Sequence, residues 1–384
     1  LRRARAARAA PSHEDSVIRV GFDGRAFASP AAGIRRYANG LVRALLAIGG
    51  PVEIVALGGR AADAPPGVVH IEASWHPPSN AGWTLVGLPR TASRARVDLI
   101  HAPAYTAPFW AGVPVVLTIH DVSYETHPEW YPYRRDALRR FFYRRSATRA
   151  TRVLTDSAFS ASEITSAYGL DRDRITVTPL GVDPAFANRA ALSPALPPIV
   201  KTPFFLHVGD LHERRNLVMV VGALLAVRRL GGPCAAVSLV LAGIDRGVGA
   251  QLRRACAEAG APEAVVLLGS VRDDLLHALY RAAVGLVYPS LYEGFGLPLV
   301  EAMAAGTPVV GARAASIPEV VGDAALLLDP RDVSAWREAL SRLVTDESLR
   351  EDLRVRGRAR AAAFTWAQTA RLTLDVYREA LRVA

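Results

Sequence analysis

The sequence predicts an α/β fold of two doubly wound, parallel-sheet domains, each Rossmann-like, facing across a cleft. Three observations lead there. The 384 residues exceed one ordinary core, and 51% are hydrophobic, as in a packed globular chain. Short runs rich in Val, Ala and Leu alternate with helix-length stretches in both halves, the pattern of parallel strands buried on both faces. Between the halves, Pro184, Pro194, Pro197, Pro198 and Pro203 interrupt all periodicity. The expected divisions are a flexible basic arm (1–16), a first domain (17–183), a linker (184–203), a second domain (204–365) and a terminal segment (366–384).

Element by element, the apolar runs predict strands in the first half at Val17–Asp23, Val52–Leu57, Val68–Glu72, Asp98–Ala102, Val113–His120, Arg152–Asp156 and Ile175–Pro179. Helices are expected at about 34–47, 80–95, 133–149 and 158–168, the first closed by Gly49-Gly50. In the second half the strands fall near Phe204–Val208, Val237–Ala242, Val265–Leu268, Gly285–Tyr288, Pro308–Gly311 and Ala325–Leu328. Helices lie between them at about 216–229, 248–259, 273–282, 298–305 and 332–344, with a last one at about 366–382.

Composition excludes several classes. No apolar run reaches the roughly 18–20 residues of a membrane span. The basic start is followed by Pro11-Ser-His-Glu-Asp15, where a secretion signal needs an apolar stretch. Cys234 and Cys256 make neither a disulfide framework nor a metal set, and a reducing cytoplasm suits them. The net charge of +10 suggests nucleic acid, but only Lys201 among 46 basic residues is lysine, a compositional bias toward arginine rather than selection for phosphate contacts. The excess is also lopsided, +8 in residues 1–190 and +2 in 191–384.

The most informative stretch runs from Tyr288 to Val310. It reads as a strand end, a glycine loop, a helix started by Pro298 and capped by Gly306, then Pro308 and the next strand. The amides of Gly294, Phe295, Gly296 and Leu297 would gather at a helix N-terminus and form an anion site. Glu293 flanks this site before the loop and Glu301 in the first helical turn, where both can bond sugar and ribose hydroxyls. Either acid alone would suit an ordinary helix start.

Other residues point the same way. Arg214 and Arg215, after a strand and a turn at Gly209, can hold a diphosphate. His120 ends an apolar strand, with Asp121 next to it and His101 at the end of the preceding strand. Gly33 permits close backbone approach to a ligand, and Tyr37 lies one helical turn beyond it. No Asp-x-Asp sits where a cation could bridge a diphosphate, and no His/Cys set is clustered, so no metal is expected.

Glu293 to Glu301 resembles the paired-glutamate signature of family 4 retaining glycosyltransferases. His207-Val-Gly-Asp-Leu-His-Glu-Arg-Arg-Asn216, Gly269 to Tyr280, Gly33-Ile-Arg-Arg-Tyr37, Ile119-His-Asp121 and Ser157-Ala-Phe-Ser160 follow that family's order, so the resemblance covers about Val17 to the last helix. It implies the two-domain GT-B architecture, with the last helix crossing back to the first domain. It also implies that Glu301 binds ribose, that Glu293 meets the transferred sugar and that His120 is the active-site histidine. Gly269-Ser270-Val271 would place backbone groups against the nucleobase. Arg215 stands where the family usually has lysine.

The reaction so implied moves a hexose from a nucleoside diphosphate sugar to a glycan or lipid-linked glycan, with retention and without metal or cofactor. Gly33–Tyr37 and Arg214–Asn216 look closest to bacterial mannosyltransferases of surface-polysaccharide assembly, which makes GDP-mannose the first donor, with UDP-glucose and UDP-N-acetylglucosamine open. A nucleotide-sugar epimerase of the same fold, or a non-catalytic protein binding nucleic acid or anionic membrane, are the alternatives. Arg134-Arg135, Arg139-Arg140, Arg144-Arg145 and Arg149 recur about a helix with Phe141, Phe142 and Tyr143 between them. They are either a solvated helix or a contact with anionic lipid near a lipid-linked acceptor.

Overall fold

A computed structural model describes residues 17–75, 79–131, 134–188 and 194–383; the predicted arm 1–16 and part of the predicted linker lie outside the described residues. Seven strands form the first sheet: β1 Ile18–Asp23, β2 Val52–Leu57, β3 Val69–Ile71, β4 Leu99–Ala102, β5 Val115–Thr118, β6 Arg152–Thr155 and β7 Ile175–Val177. Their order is β3-β2-β1-β4-β5-β6-β7. Six strands form the second: β8 Phe204–Val208, β9 Ser238–Ala242, β10 Val265–Gly269, β11 Gly285–Tyr288, β12 Val309–Ala312 and β13 Leu326–Leu328, in the order β10-β9-β8-β11-β12-β13. β1 pairs in parallel with β2 and β4, and β8 with β9 and β11; in both sheets the order reverses beside the first strand, the doubly wound arrangement. The central strands β4, β5, β8, β9, β11 and β12 are buried at every residue, as expected where helices cover both faces.

The helices in chain order are α1 Ala32–Ala47, α2 Asn80–Gly82, α3 Leu88–Ala95, α4 Ser123–Thr126, α5 Ala137–Arg149, α6 Ala158–Tyr168, α7 Leu217–Arg228, α8 Gly249–Glu258, α9 Asp273–Ala282, α10 Leu297–Ala305, α11 Ile317–Val321, α12 Val333–Thr345, α13 Glu347–Ala361 and α14 Trp366–Arg382. Several differ from the sequence reading. The stretch 80–95 is not one α-helix, because Trp83–Gly87 widens into a π turn between α2 and α3. Pro89 has no N–H to close the regular ladder there. β5 stops at Thr118, so His120 lies beyond the strand instead of ending it. α13 was not predicted, since Glu347–Ala361 offers almost no apolar stripe. Asp346 caps it by accepting from the Leu349 amide at 2.9 Å, and Arg350 and Arg354 pair with Glu347 and Glu351 along it.

The chain gathers into two compact units. One comprises the described part of Leu1–Thr118 with Phe141–Leu154 and Ala370–Ala384; the other comprises Ile119–Arg140 with Thr155–Thr369. The second unit therefore takes in segments on the N-terminal side of residue 183. In the first unit α14 closes the core: Leu374 lies against Gly50, and Ala370, Tyr377 and Ala380 are buried. Cys234 and Cys256 are both buried free thiols.

Candidate active site

The loop from Ser290 to Gly296 leaves β11 and enters α10. Leu297 is the first helical residue and Pro298 the second, Gly296 (φ +95°) precedes the helix, and Gly306 (φ +76°) ends it. Gly296 supplies a left-handed turn that an L side chain resists. Among the described residues, no hydrogen bond uses the amides of Gly294, Phe295, Gly296 or Leu297. Ser316 holds the loop from behind, its hydroxyl donating to the carbonyls of Glu293 (2.9 Å) and Phe295 (3.3 Å).

Glu293 is 5% exposed and ion-paired with Arg215, itself 9% exposed. Arg215 Nη1 also donates to the Tyr288 hydroxyl (2.7 Å) and Ser290 Oγ (3.2 Å), and the guanidinium lies over the Tyr288 ring. Burial lowers the Arg215 pKa, with the neighbouring Arg214 charge acting the same way and Tyr288 and Asp210 opposing it. Gly209 (φ +132°) leaves room for this side chain, since a methyl there would sit 3.2 Å from Arg215 Nη2.

Glu301 is 2% exposed and accepts from the Tyr280 hydroxyl of α9 at 2.8 Å. It is the fifth residue of α10 and so lies past the first turn, contrary to the sequence reading, because the helix begins at Leu297. Arg214 is 3.6 Å from Asp121, whose other carboxylate oxygen accepts from the amide (3.0 Å) and hydroxyl (2.7 Å) of Ser123.

The loop also meets the segment after β5. A methyl on Gly294 would run into the His120 carbonyl oxygen and approach Asp121 Cβ at 3.0 Å. The hydroxyls of Ser157 (2.6 Å) and Ser160 (3.1 Å), at the start of α6, donate to the Gly294 carbonyl. His120 Nδ1 is 2.8 Å from Asp156 Oδ2. Asp156 is 2% exposed, and burial pushes its pKa up against the opposing pull of His120. Within the second unit the fold thus brings His120, Asp121, Gly209, Arg214, Arg215, Glu293 and Gly294 together. Asp156, Ser157, Ser160, Tyr288, Ser290 and Ser316 support them, and Tyr280 supports Glu301; of these, Asp156 and Ser316 lay outside every motif read from the sequence.

Other expected residues lie elsewhere. Tyr37 and His101 are fully buried in the first unit and do not line a cleft. His101 bonds Tyr377 through Nδ1 (2.6 Å) and Thr118 through Nε2 (2.8 Å), and the Tyr37 hydroxyl meets Thr118 at 2.7 Å. A core network satisfies these polar groups, the usual condition for burying them. Gly33 is exposed in the first turn of α1 with open space around it. Ser270 is exposed and Val271 half-buried, just after Gly269 (φ +67°) at the end of β10. No group of three His, Cys, Asp or Glu side chains among the described residues could hold a metal ion.

Comparison with known proteins gives the family. Residues 31–186 match the family described as Glycosyltransferase Family 4, and residues 188–360 match Glycosyl transferases group 1. The O-antigen chain mannosyltransferase B of Escherichia coli is 36% identical over 274 residues, 68% of this chain and 70% of that protein. The MMP alpha-(1->4)-mannosyltransferase of Mycolicibacterium hassiacum is 32% identical over 299 residues, 71% of this chain and 67% of that protein. Among solved structures, the sucrose-phosphate synthase of Thermosynechococcus elongatus superposes with a TM-score of 0.73 at 21% identity, over 96% of this chain and all of that one. With two family matches in series, a relative matched over more than two thirds of its length and the GT-B fold, this chain belongs to the family 4 glycosyltransferases.

Proposed function

We propose that this glycosyltransferase moves mannose from GDP-mannose to a glycan or lipid-linked glycan, with retention of anomeric configuration and without a metal ion. The observation that carries the reading is the seating of the Glu293–Gly294 loop on the His120 carbonyl. It sets two acids, an arginine pair, a histidine and four amides around one helix start. Mannose is favoured by the names of the two relatives above, both mannosyltransferases. The named relatives give no support to an epimerase or a non-catalytic binding protein.

The amides of Gly294, Phe295, Gly296 and Leu297 and the Arg214 guanidinium take the diphosphate, whose charge grows as the sugar leaves. Arg215 reaches the same diphosphate only by sharing its charge with Glu293. Glu301, steadied by Tyr280, takes the ribose hydroxyls, and backbone groups at Ser270 and Val271 meet the base. Glu293 lies against the hexose, and His120, oriented by Asp156, faces a sugar hydroxyl at the reaction centre. Of the other carboxylates in this cluster, Asp156 is engaged by His120 and Asp121 by Ser123, so neither is assigned as a nucleophile for a double displacement, and the leaving phosphate accepts the acceptor's proton on the face it departs from. Gly33 and Asp121 are assigned to the acceptor side. Fixed arginine charge and the helix start do the work of a cation. A cytoplasmic location suits a nucleotide-sugar donor and two free thiols.

A thermal-shift series with GDP-mannose, UDP-glucose and UDP-N-acetylglucosamine tests the donor, because a ligand bound only by the folded state raises its stability. GDP-mannose should give the largest shift, and turnover should survive EDTA. Stabilisation by a UDP sugar alone would overturn the donor. Activity lost in EDTA and restored by Mg²⁺ or Mn²⁺ would overturn metal independence.

A further inference from the structure

Helix α5 turns an unusual surface outward. Of its 13 residues only Ser146 and Ala147 are buried, while Leu138 and Phe141 are 76% and 58% exposed. At 100° per residue, Leu138, Phe141, Arg145 and Arg149 fall on one stripe opposite that buried pair, with Arg144 beside Phe141. Trp110, 71% exposed, extends this surface from a neighbouring loop. The Arg149 guanidinium lies 6.0 Å from its ring centroid, and Phe109 joins Trp110 (5.9 Å) to Phe142 (5.1 Å). Ser146 Oγ donates to the Ala107 carbonyl at 3.2 Å, which ties loop and helix into one preformed surface.

Its charge is uncompensated. Arg139 and Arg140 pair with Asp136 and Glu125, but Arg134, Arg135, Arg144, Arg145 and Arg149 meet no carboxylate among the described residues. We propose that the outer face of α5 from Phe141 to Arg149, together with Trp110, docks the protein on the surface of an anionic phospholipid bilayer. The apolar centre of Phe141 and Trp110 enters the acyl boundary, and the arginine stems lie along it while their guanidinium groups reach lipid phosphates. Nucleic acid would match the charge yet leave Phe141 and Trp110 in water. The mode is surface docking, since no helix among the described residues is long and apolar enough to cross a membrane. Nothing in this inference rests on the donor-site assignment.

Flotation of the full chain with vesicles decides it. The parent protein should float with phosphatidylcholine/phosphatidylglycerol vesicles at low salt, weakly at high salt, and poorly with phosphatidylcholine alone. R144Q/R145Q/R149Q should bind the anionic vesicles more weakly by about tenfold or more. W110S/F141S should lose the part of the binding that salt does not remove. As a check needing no multiple variant, bromine-labelled acyl chains should quench the parent's tryptophan fluorescence, and W110F should lose that quenching. No flotation of the parent at low salt would overturn the proposal. So would folded variants that float like the parent, or vesicle-insensitive binding to duplex DNA in its place.

Discussion

Glu293 and Arg215 face each other almost without water, so neither can be removed without leaving the other's charge stranded. Arg215→Ala should therefore lower folding stability by about 3–5 kcal/mol, measured by urea unfolding. Arg214→Ala, half-exposed and 3.6 Å from Asp121, should cost little stability and act on nucleotide binding instead. Equal stability of the two variants would mean the buried pair does not form. Behind them, His207 on β8 is fully buried and donates from Nδ1 to the Val287 carbonyl at 3.0 Å. Burial and the nearby Arg215 charge push its pKa down to about 3. The folded state then holds His207 neutral while the unfolded chain protonates it below about pH 6.5. Stability contributed by the neutral ring is present above pH 6.5 and is lost as pH falls toward 3, at up to about 1.4 kcal/mol per pH unit. His207→Asn should flatten that slope between pH 6.5 and 4.5; an unchanged slope would show that His207 is already protonated in the fold.

At the scale of elements, the loop-and-helix unit around α10 was legible because its turn and stop chemistry is local: Gly296, Pro298, Gly306 and Pro308 mark it in a single run. The parallel strands were legible for a similar reason, as short apolar runs with regular spacing. What the sequence hid was tertiary. Nothing near Glu347–Ala361 announces α13, where a methyl on Gly357 would sit 3.4 Å from Met303 of α10 and whose surface is laced by ion pairs. Nor does any local pattern show that Asp156 partners His120 across 36 residues, or that Gly294 needs to lack a side chain because a carbonyl fills the space. Gly294→Ala should push the loop off His120 while the protein stays folded. A displacement of about 1 Å can cost on the order of 10²-fold in rate, and steady-state turnover should fall accordingly. Wild-type turnover in a folded Gly294→Ala protein would show that this seating is not needed.

Across the whole molecule, the chain returns to its beginning. Residues Ala370–Ala384 group with the first unit, and the Tyr377 hydroxyl reaches His101, 276 residues earlier. That distance is why Tyr37 and His101 read as site residues in the sequence although they are core: the partners that bury and satisfy them are invisible until the chain is folded. Burial pushes the Tyr377 pKa well up, so the hydroxyl stays protonated. Tyr377→Phe should cost about 1–3 kcal/mol by leaving a buried ring nitrogen unpaired, measured by urea unfolding. No loss would mean that α14 is held without this network.

The claim on which the rest depends is that nucleotide and sugar meet at the start of α10, with Glu301 serving the nucleotide and Glu293 the transferred sugar. Calorimetric titration of GDP into the parent, Glu301→Gln and Glu293→Gln, beside the turnover of each, tests this most directly. Glu301→Gln should weaken GDP by about tenfold, equivalent to about 1.4 kcal/mol, while Glu293→Gln should bind GDP nearly as the parent does yet lose turnover. Equal GDP affinity and equal turnover in all three proteins would contradict the account.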